Sequence, residues 1–66
     1  MTFIVEVQRI ESSITRFEDE DEGTAFIDST IDKAVADHVF TQIDVWRMDG
    51  AHECGWTVHE DGTIDI

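Results

Sequence analysis

Five consecutive carboxylates are the densest chemical feature of this 66-residue chain: Glu18, Asp19, Glu20, Asp21 and Glu22. Like charges in a row repel one another and gain nothing from burial, so the run, which Gly23 closes, predicts a surface loop. In an extended loop, alternate side chains lie about 6.5–7 Å apart. Successive phosphates of a nucleic-acid strand are separated by about 6–7 Å. The run therefore predicts either a phosphate-like row of charges or a loop that is acidic only to remain solvated.

The charge balance of the whole chain has the same sign. Sixteen Asp and Glu face four Lys and Arg, which gives a net charge of −12 at pH 7, and Lys33 is the single lysine. Such a field repels nucleic acid and anionic membranes, so direct binding to either is not expected. It attracts basic surfaces, including those with which proteins hold DNA or RNA. High acidity with little lysine also fits adaptation to high salt, and composition alone does not separate the two.

Four residues outside the run complete the predicted partner-binding site. Carboxylates elsewhere in the chain enlarge the acidic surface if the fold gathers them, and an exposed tryptophan among them would anchor an interface. If Trp46 and Trp56 instead face the helix, both belong to the core. The four residues added to the site are Asp28, Asp44, Trp46 and Asp49.

Metal, cofactor and catalytic sites are not expected. Counted from Asp19, the spacing of an EF-hand loop fails, because glycine and glutamate do not fall at its sixth and twelfth positions. The cluster of His52, Cys54 and His59 has three possible ligands at irregular spacing, whereas a structural zinc site usually has four. No basic residue next to Cys54 in the sequence lowers the pKa of its thiol. We therefore predict a protein that is not an enzyme.

Alternation of apolar and polar residues predicts most of the chain as strands. Residues 2–10, 43–48, 54–59 and 63–66 show this period of two, and the first strand is expected to be central because both of its faces carry apolar residues. Two segments compete for the second strand, residues 13–18 before the acidic run and residues 24–28 after it. Asp49-Gly50 and Asp61-Gly62 are turn signals.

One helix is predicted, from Ser29 to about Phe40. Ser29 followed by Asp32 resembles a capping box. One stripe of the helix is apolar or neutral and should be buried, with the spacing i, i+3, i+4, i+7, i+8: Ile31, Ala34, Val35, His38 and Val39.

These elements predict a single α+β domain over residues 1–66. An antiparallel β-sheet of four to five strands, in ββαββ order, would pack on one α-helix. The single Cys54 excludes an intrachain disulfide, which fits a reducing, cytoplasmic setting. No apolar run has membrane-spanning length. A monomer or a weak homodimer is expected, because an unpaired edge strand favours self-association.

The layout resembles small phage-encoded anti-CRISPR proteins. The likeness lies in the opening strand Phe3–Ile10, the acidic run, the helix starting at Ser29-Thr30-Ile31-Asp32-Lys33-Ala34, and the strand around Trp56. The turn His59-Glu60-Asp61-Gly62 before a short last strand also matches. The resemblance implies an inhibitor of a type I CRISPR surveillance complex that uses an acidic surface to occupy the site where the complex would grip target DNA.

The expected function is therefore non-enzymatic inhibition through a DNA-mimicking acidic surface. The expected partner is a basic nucleic-acid-binding protein surface, with Glu18 to Glu22 making the contact and no cofactor involved. The alternative is a small halophilic structural or interaction domain whose acidity serves hydration.

Overall fold

The computed structural model describes residues 2–66 and consists of one helix and a five-stranded antiparallel sheet. The strands and helix follow in the order β1 (Phe3–Gln8), β2 (Ser12–Phe17), α1 (Glu20–Asp37), β3 (Thr41–Arg47), β4 (His52–Val58) and β5 (Ile64–Asp65). Their spatial order is β2-β1-β3-β4-β5. The predicted α+β class is confirmed, and so is the central position of the first strand.

The sheet has one face covered by α1 and one uncovered face. Alternate residues of β1 and β3 point toward the helix and are buried, which is the period of two expected for a half-covered sheet. On this side lies the core, formed by Phe3, Val5, Val7, Ile27, Ile43 and Val45. The rings of Phe3, Phe17 and Phe26 extend the core toward β2. The ring centroids of Phe3 and Phe17 are 5.8 Å apart, and those of Phe17 and Phe26 are 5.2 Å apart.

Gly23 sets how closely α1 approaches the sheet. A Cβ atom at this position would lie 2.1 Å from Cζ of the Phe3 ring, so the helix rests on the ring where a side chain is missing. Glycine lowers helix propensity by about 1 kcal/mol relative to alanine. The residue that closes the acidic run in the sequence is therefore a packing position inside the helix.

The helix begins nine residues earlier than predicted. It starts at Glu20 and not at Ser29, with Asp19 as N-cap, and residues 24–28 are helical. The second strand is consequently Ser12–Phe17, the first of the two alternatives. The stripe predicted from Ile31 onward extends back through Ile27, Phe26 and Gly23, and burial of this longer stripe outweighs the repulsion within the acidic run.

The helix also ends earlier than predicted, at Asp37. His38 caps it in the left-handed conformation, with φ of 55°, and its backbone N–H bonds to carbonyls of the last turn. The imidazole is exposed, and Nδ1 lies 3.1 Å from the Glu60 carbonyl oxygen. The prediction that His38 belongs to the buried stripe is wrong, because the chain leaves the helix at this residue. In the described part of the chain, no helix is long and apolar enough to cross a membrane.

Candidate functional site

The acidic run leads into the N-terminal end of α1. Asp19 is the N-cap, and Glu20, Asp21 and Glu22 make up the first turn. Asp19 Oδ1 accepts a hydrogen bond of 2.8 Å from the Asp21 backbone N–H. The first backbone N–H groups of a helix have no partner within the helix and carry partial positive charge, so carboxylates are stabilised there. The prediction of a surface loop is wrong for Glu20, Asp21 and Glu22, which are helical, although all five side chains of the run are exposed.

The exposed side of the helix continues this acidic surface. Five of its carboxylates, which we call the acidic helix face, are solvent-exposed and form no ion pair or side-chain hydrogen bond within residues 2–66. They are Glu20, Asp21, Glu22, Asp28 and Asp32. The helix contains a single cation, Lys33. Glu18, just before the N-cap, lies 3.4 Å from the Arg16 guanidinium.

Helical geometry sets the spacing of these charges. Asp28 and Asp32 are one turn apart, a rise of about 6 Å, and Asp21 lies about 10 Å before Asp28 along the same side. The predicted row of alternate residues in an extended segment does not exist, because residues two apart on a helix point to different sides. A spacing close to that of phosphates is nevertheless present between Asp28 and Asp32, and Asp32 was not among the predicted site residues.

Asp44 and Trp46 lie on the uncovered face of the sheet, away from α1. Asp44 Oδ1 is 2.9 Å from His52 Nε2 and 3.4 Å from Gln42 Nε2. The Trp46 and His52 rings meet edge to face, with centroids 4.8 Å apart. The fold therefore separates Asp44 and Trp46 from the acidic helix face, and it gives Asp44 partners of its own.

Gly55 makes the contact between Asp44 and His52 possible. It faces Asp44 across the β3–β4 pair, where the register shifts between Val45 and Trp46. A Cβ atom on Gly55 would lie 2.7 Å from Asp44 Oδ1 and 3.1 Å from the Ile43 carbonyl oxygen. The absence of a side chain leaves the space in which the carboxylate reaches the imidazole.

Asp49 belongs to the β3–β4 turn. Its carboxylate accepts a 3.0 Å hydrogen bond from the Ala51 backbone N–H and lies 3.2 Å from the Arg47 guanidinium. The Ala51 N–H is the main cause of the lowered pKa of Asp49, and Arg47 adds to it. This turn is at the end of the sheet nearest the N-terminus of α1, because Arg47 pairs with Phe3, whose ring lies under Gly23.

The three residues that were considered and rejected as a zinc site make separate contacts. His52 pairs with Asp44 on the uncovered face, and His59 Nε2 lies 2.6 Å from Asp65 Oδ2. Cys54 packs on the core side of the sheet, where burial and, to a lesser extent, Glu53 and Asp44 raise the pKa of its thiol. Among the described residues, no group of three or more His, Cys, Asp or Glu side chains is arranged to hold a metal ion.

The structure thus divides the predicted site residues into three places. Glu18 to Glu22 and Asp28 lie together on or beside α1, Asp44 and Trp46 lie on the uncovered sheet face, and Asp49 stabilises a turn. Comparison with protein-family models, with curated protein sequences and with solved structures finds no match to this chain.

Proposed function

We propose that this protein is a non-enzymatic inhibitor whose acidic helix face binds the basic surface with which another protein holds nucleic acid. The observation that carries the proposal is the absence of internal partners for Glu20, Asp21, Glu22, Asp28 and Asp32 within residues 2–66. Because these side chains form no ion pair or hydrogen bond within those residues, they are available to the Lys and Arg side chains of a partner. A net charge of −12 adds long-range attraction to such a surface.

The proposed mechanism is competition for one basic groove. The helix would lie where the nucleic-acid backbone otherwise lies, with carboxylates one turn apart in place of phosphates. Rigidity favours this arrangement, because the charges are fixed on a packed helix and little conformational entropy is lost on binding. The resemblance of the sequence to anti-CRISPR proteins makes a type I CRISPR surveillance complex the first target to test.

The test compares two variants that remove the same charge from different places in the protein. Asp28→Asn/Asp32→Asn changes the two carboxylates of the acidic helix face that lie one turn apart, and Glu11→Gln/Glu60→Gln changes two exposed turns near the C-terminal end of α1. Co-elution with the purified complex and a DNA gel shift report binding and inhibition. Close charge pairs at an interface couple by roughly 1.5 kcal/mol or more, so we expect affinity to fall about 10- to 100-fold for the first variant. The second variant should change it less than about 3-fold, as rim charges do.

Salt provides the second arm of this test. Binding by the unmodified protein should weaken as the salt concentration rises from about 0.05 M to about 0.5 M, because ions screen attraction across the interface. Equal affinity of the two variants, or binding that does not respond to salt, would contradict the proposal.

A halophilic interaction domain remains the second candidate, favoured by the same net charge and by the single Lys33. Its acidity would serve the folded state and not a partner. Circular dichroism in dilute buffer and in molar salt separates the two, since only the halophilic domain requires salt to fold.

A further inference from the structure

A small groove opens between the N-terminal half of α1 and β4. It has a volume of about 220 Å³. Its floor and walls are mostly apolar, formed by Phe3, Ile27, Val45 and Trp56 together with the Cys54 thiol. Trp56 and Cys54 are only partly buried, and both line the groove.

Two carboxylates stand at the groove, one from each side. Glu20 belongs to the first turn of α1, and Glu53 lies at the start of β4. One oxygen of Glu53 is 3.5 Å from Arg47 Nε, a long contact at a half-exposed pair. Glu20 has no cation partner in the described part of the chain. An apolar recess with negative charge at both walls is complementary to a long apolar stem that carries a positive charge.

We infer that this groove binds a single arginine side chain of the partner protein, with the methylene stem against the apolar floor and the guanidinium near Glu20 and Glu53. The inference rests on the proposed function and specifies its anchoring contact. Pockets that hold nucleotides or drug-sized ligands usually have about 300–1,000 Å³, so a groove of this size suits one side chain better. The indole of Trp56 provides a wall on which a guanidinium stacks more favourably than an ammonium.

The Cys54 thiol is suited to be an apolar wall. Its pKa is raised mainly by burial, and the nearby carboxylates of Glu53 and Asp44 act in the same direction. The thiol is therefore protonated at neutral pH and adds no negative charge of its own. Because it is also the single cysteine of the chain, it reports occupancy of the groove without ambiguity.

The experiment measures the rate at which N-ethylmaleimide alkylates Cys54, followed by mass spectrometry at pH 7.5. The probe is Nα-acetylarginine amide, and Nα-acetylcitrulline amide, which has nearly the same shape without the charge, is its control in buffers of equal ionic strength. A ligand with a Kd of about 1 mM, present at about 10 mM, should slow alkylation about 10-fold. We expect this protection from the arginine compound and less than about 2-fold from the citrulline compound.

A matched pair of variants tests the geometry. Glu20→Gln removes one groove carboxylate without touching Glu53, which also affects the thiol. Glu60→Gln removes the same charge at a distant turn. The first variant should lose most of the protection by arginine, and the second should keep it. Equal protection by both compounds, or equal loss in both variants, would overturn the inference.

The assay contains no partner protein, so the two proposals fail separately. Protection by arginine in a chain that binds no basic partner would retain the groove and remove the proposed function. If the chain binds a basic partner but the arginine compound does not protect Cys54 from alkylation, the groove is not the anchoring site.

Discussion

The acidic helix face and the uncovered face of the sheet both carry carboxylates, but the fold treats them differently. On the helix, Glu20, Asp28 and the other members of that face have no partner within residues 2–66. On the sheet, Asp44 contacts His52 and Gln42, while Asp65 contacts His59. The first set of charges has no side-chain contact inside the protein, and the second set is held by contacts within it.

This difference shows that net charge is a poor measure of the charge available for binding. The sequence places Asp44 and Asp49 in one site with Asp28 only because all three are acidic. Asp44 has only 19% of its side chain exposed, and Asp49 holds a turn, whereas Asp28 is exposed on the helix. Substitutions that distinguish stability from binding therefore test the comparison directly.

Removing Asp44 should have the largest effect on stability. In Asp44→Ala, His52 and Gln42 lose their shared acceptor, and the free energy of unfolding should fall by about 1–3 kcal/mol. Asp28→Ala is the matched control on the helix, where alanine has the higher helix propensity and should stabilise by a few tenths of a kcal/mol. Urea denaturation followed by tryptophan fluorescence measures both. Equal effects of the two substitutions would remove the distinction between the two faces.

Gly55→Ala should destabilise by about 1–2 kcal/mol, because its Cβ would meet Asp44 Oδ1 at 2.7 Å. The same change should be less harmful in an Asp44→Ala background, where that oxygen is absent. The double-mutant cycle gives the coupling free energy, which we expect at about 0.5–1.5 kcal/mol. Part of the loss should remain, since the Ile43 carbonyl oxygen would still be 3.1 Å away. A coupling of zero would show that Gly55 does not make room for Asp44.

The sequence predicted the sheet better than the helix. Alternating Phe3, Val5 and Val7 have a single physical meaning, since each must lie on the same side of a strand. The helix start was missed because the acidic run was interpreted through repulsion alone. Asp19 followed three residues later by Glu22 has the pattern of a capped helix start, and Gly23 obscured it by lowering helix propensity.

The site was only partly predictable for a different reason. The exposure of Glu18 to Glu22 follows from their charge, whatever their conformation. The separation of Asp44 from Asp28 depends on which side of β3 faces α1, and the contribution of Glu53 to the groove depends on packing between distant segments. The contact of Asp44 with His52 depends on the pairing of Asp44 with Gly55 and on the register shift between Val45 and Trp46. Local sequence patterns determine neither the pairing nor the shift.

The two turn aspartates should make stability depend on pH. The pKa of Asp49 is lowered chiefly by the Ala51 backbone N–H and that of Asp61 by the Thr63 backbone N–H, from the usual value of 3.8. A carboxyl with a lower pKa in the folded state contributes stability that is present above pH 3.8 and lost as pH falls through the folded value. Asp49→Asn/Asp61→Asn should therefore be less stable than the unmodified protein at pH 7 and approach it at pH 2.

Denaturation curves of both proteins between about pH 2 and about pH 7 measure this difference. The single variants should contribute additively, because the two turns are at opposite ends of β4. A difference that stays constant down to the lowest pH would mean that the negative charge of these carboxylates is not what stabilises the turns. Asp49 and Asp61 would then differ from the carboxylates of the acidic helix face in their hydrogen bonds and not in the use of their negative charge.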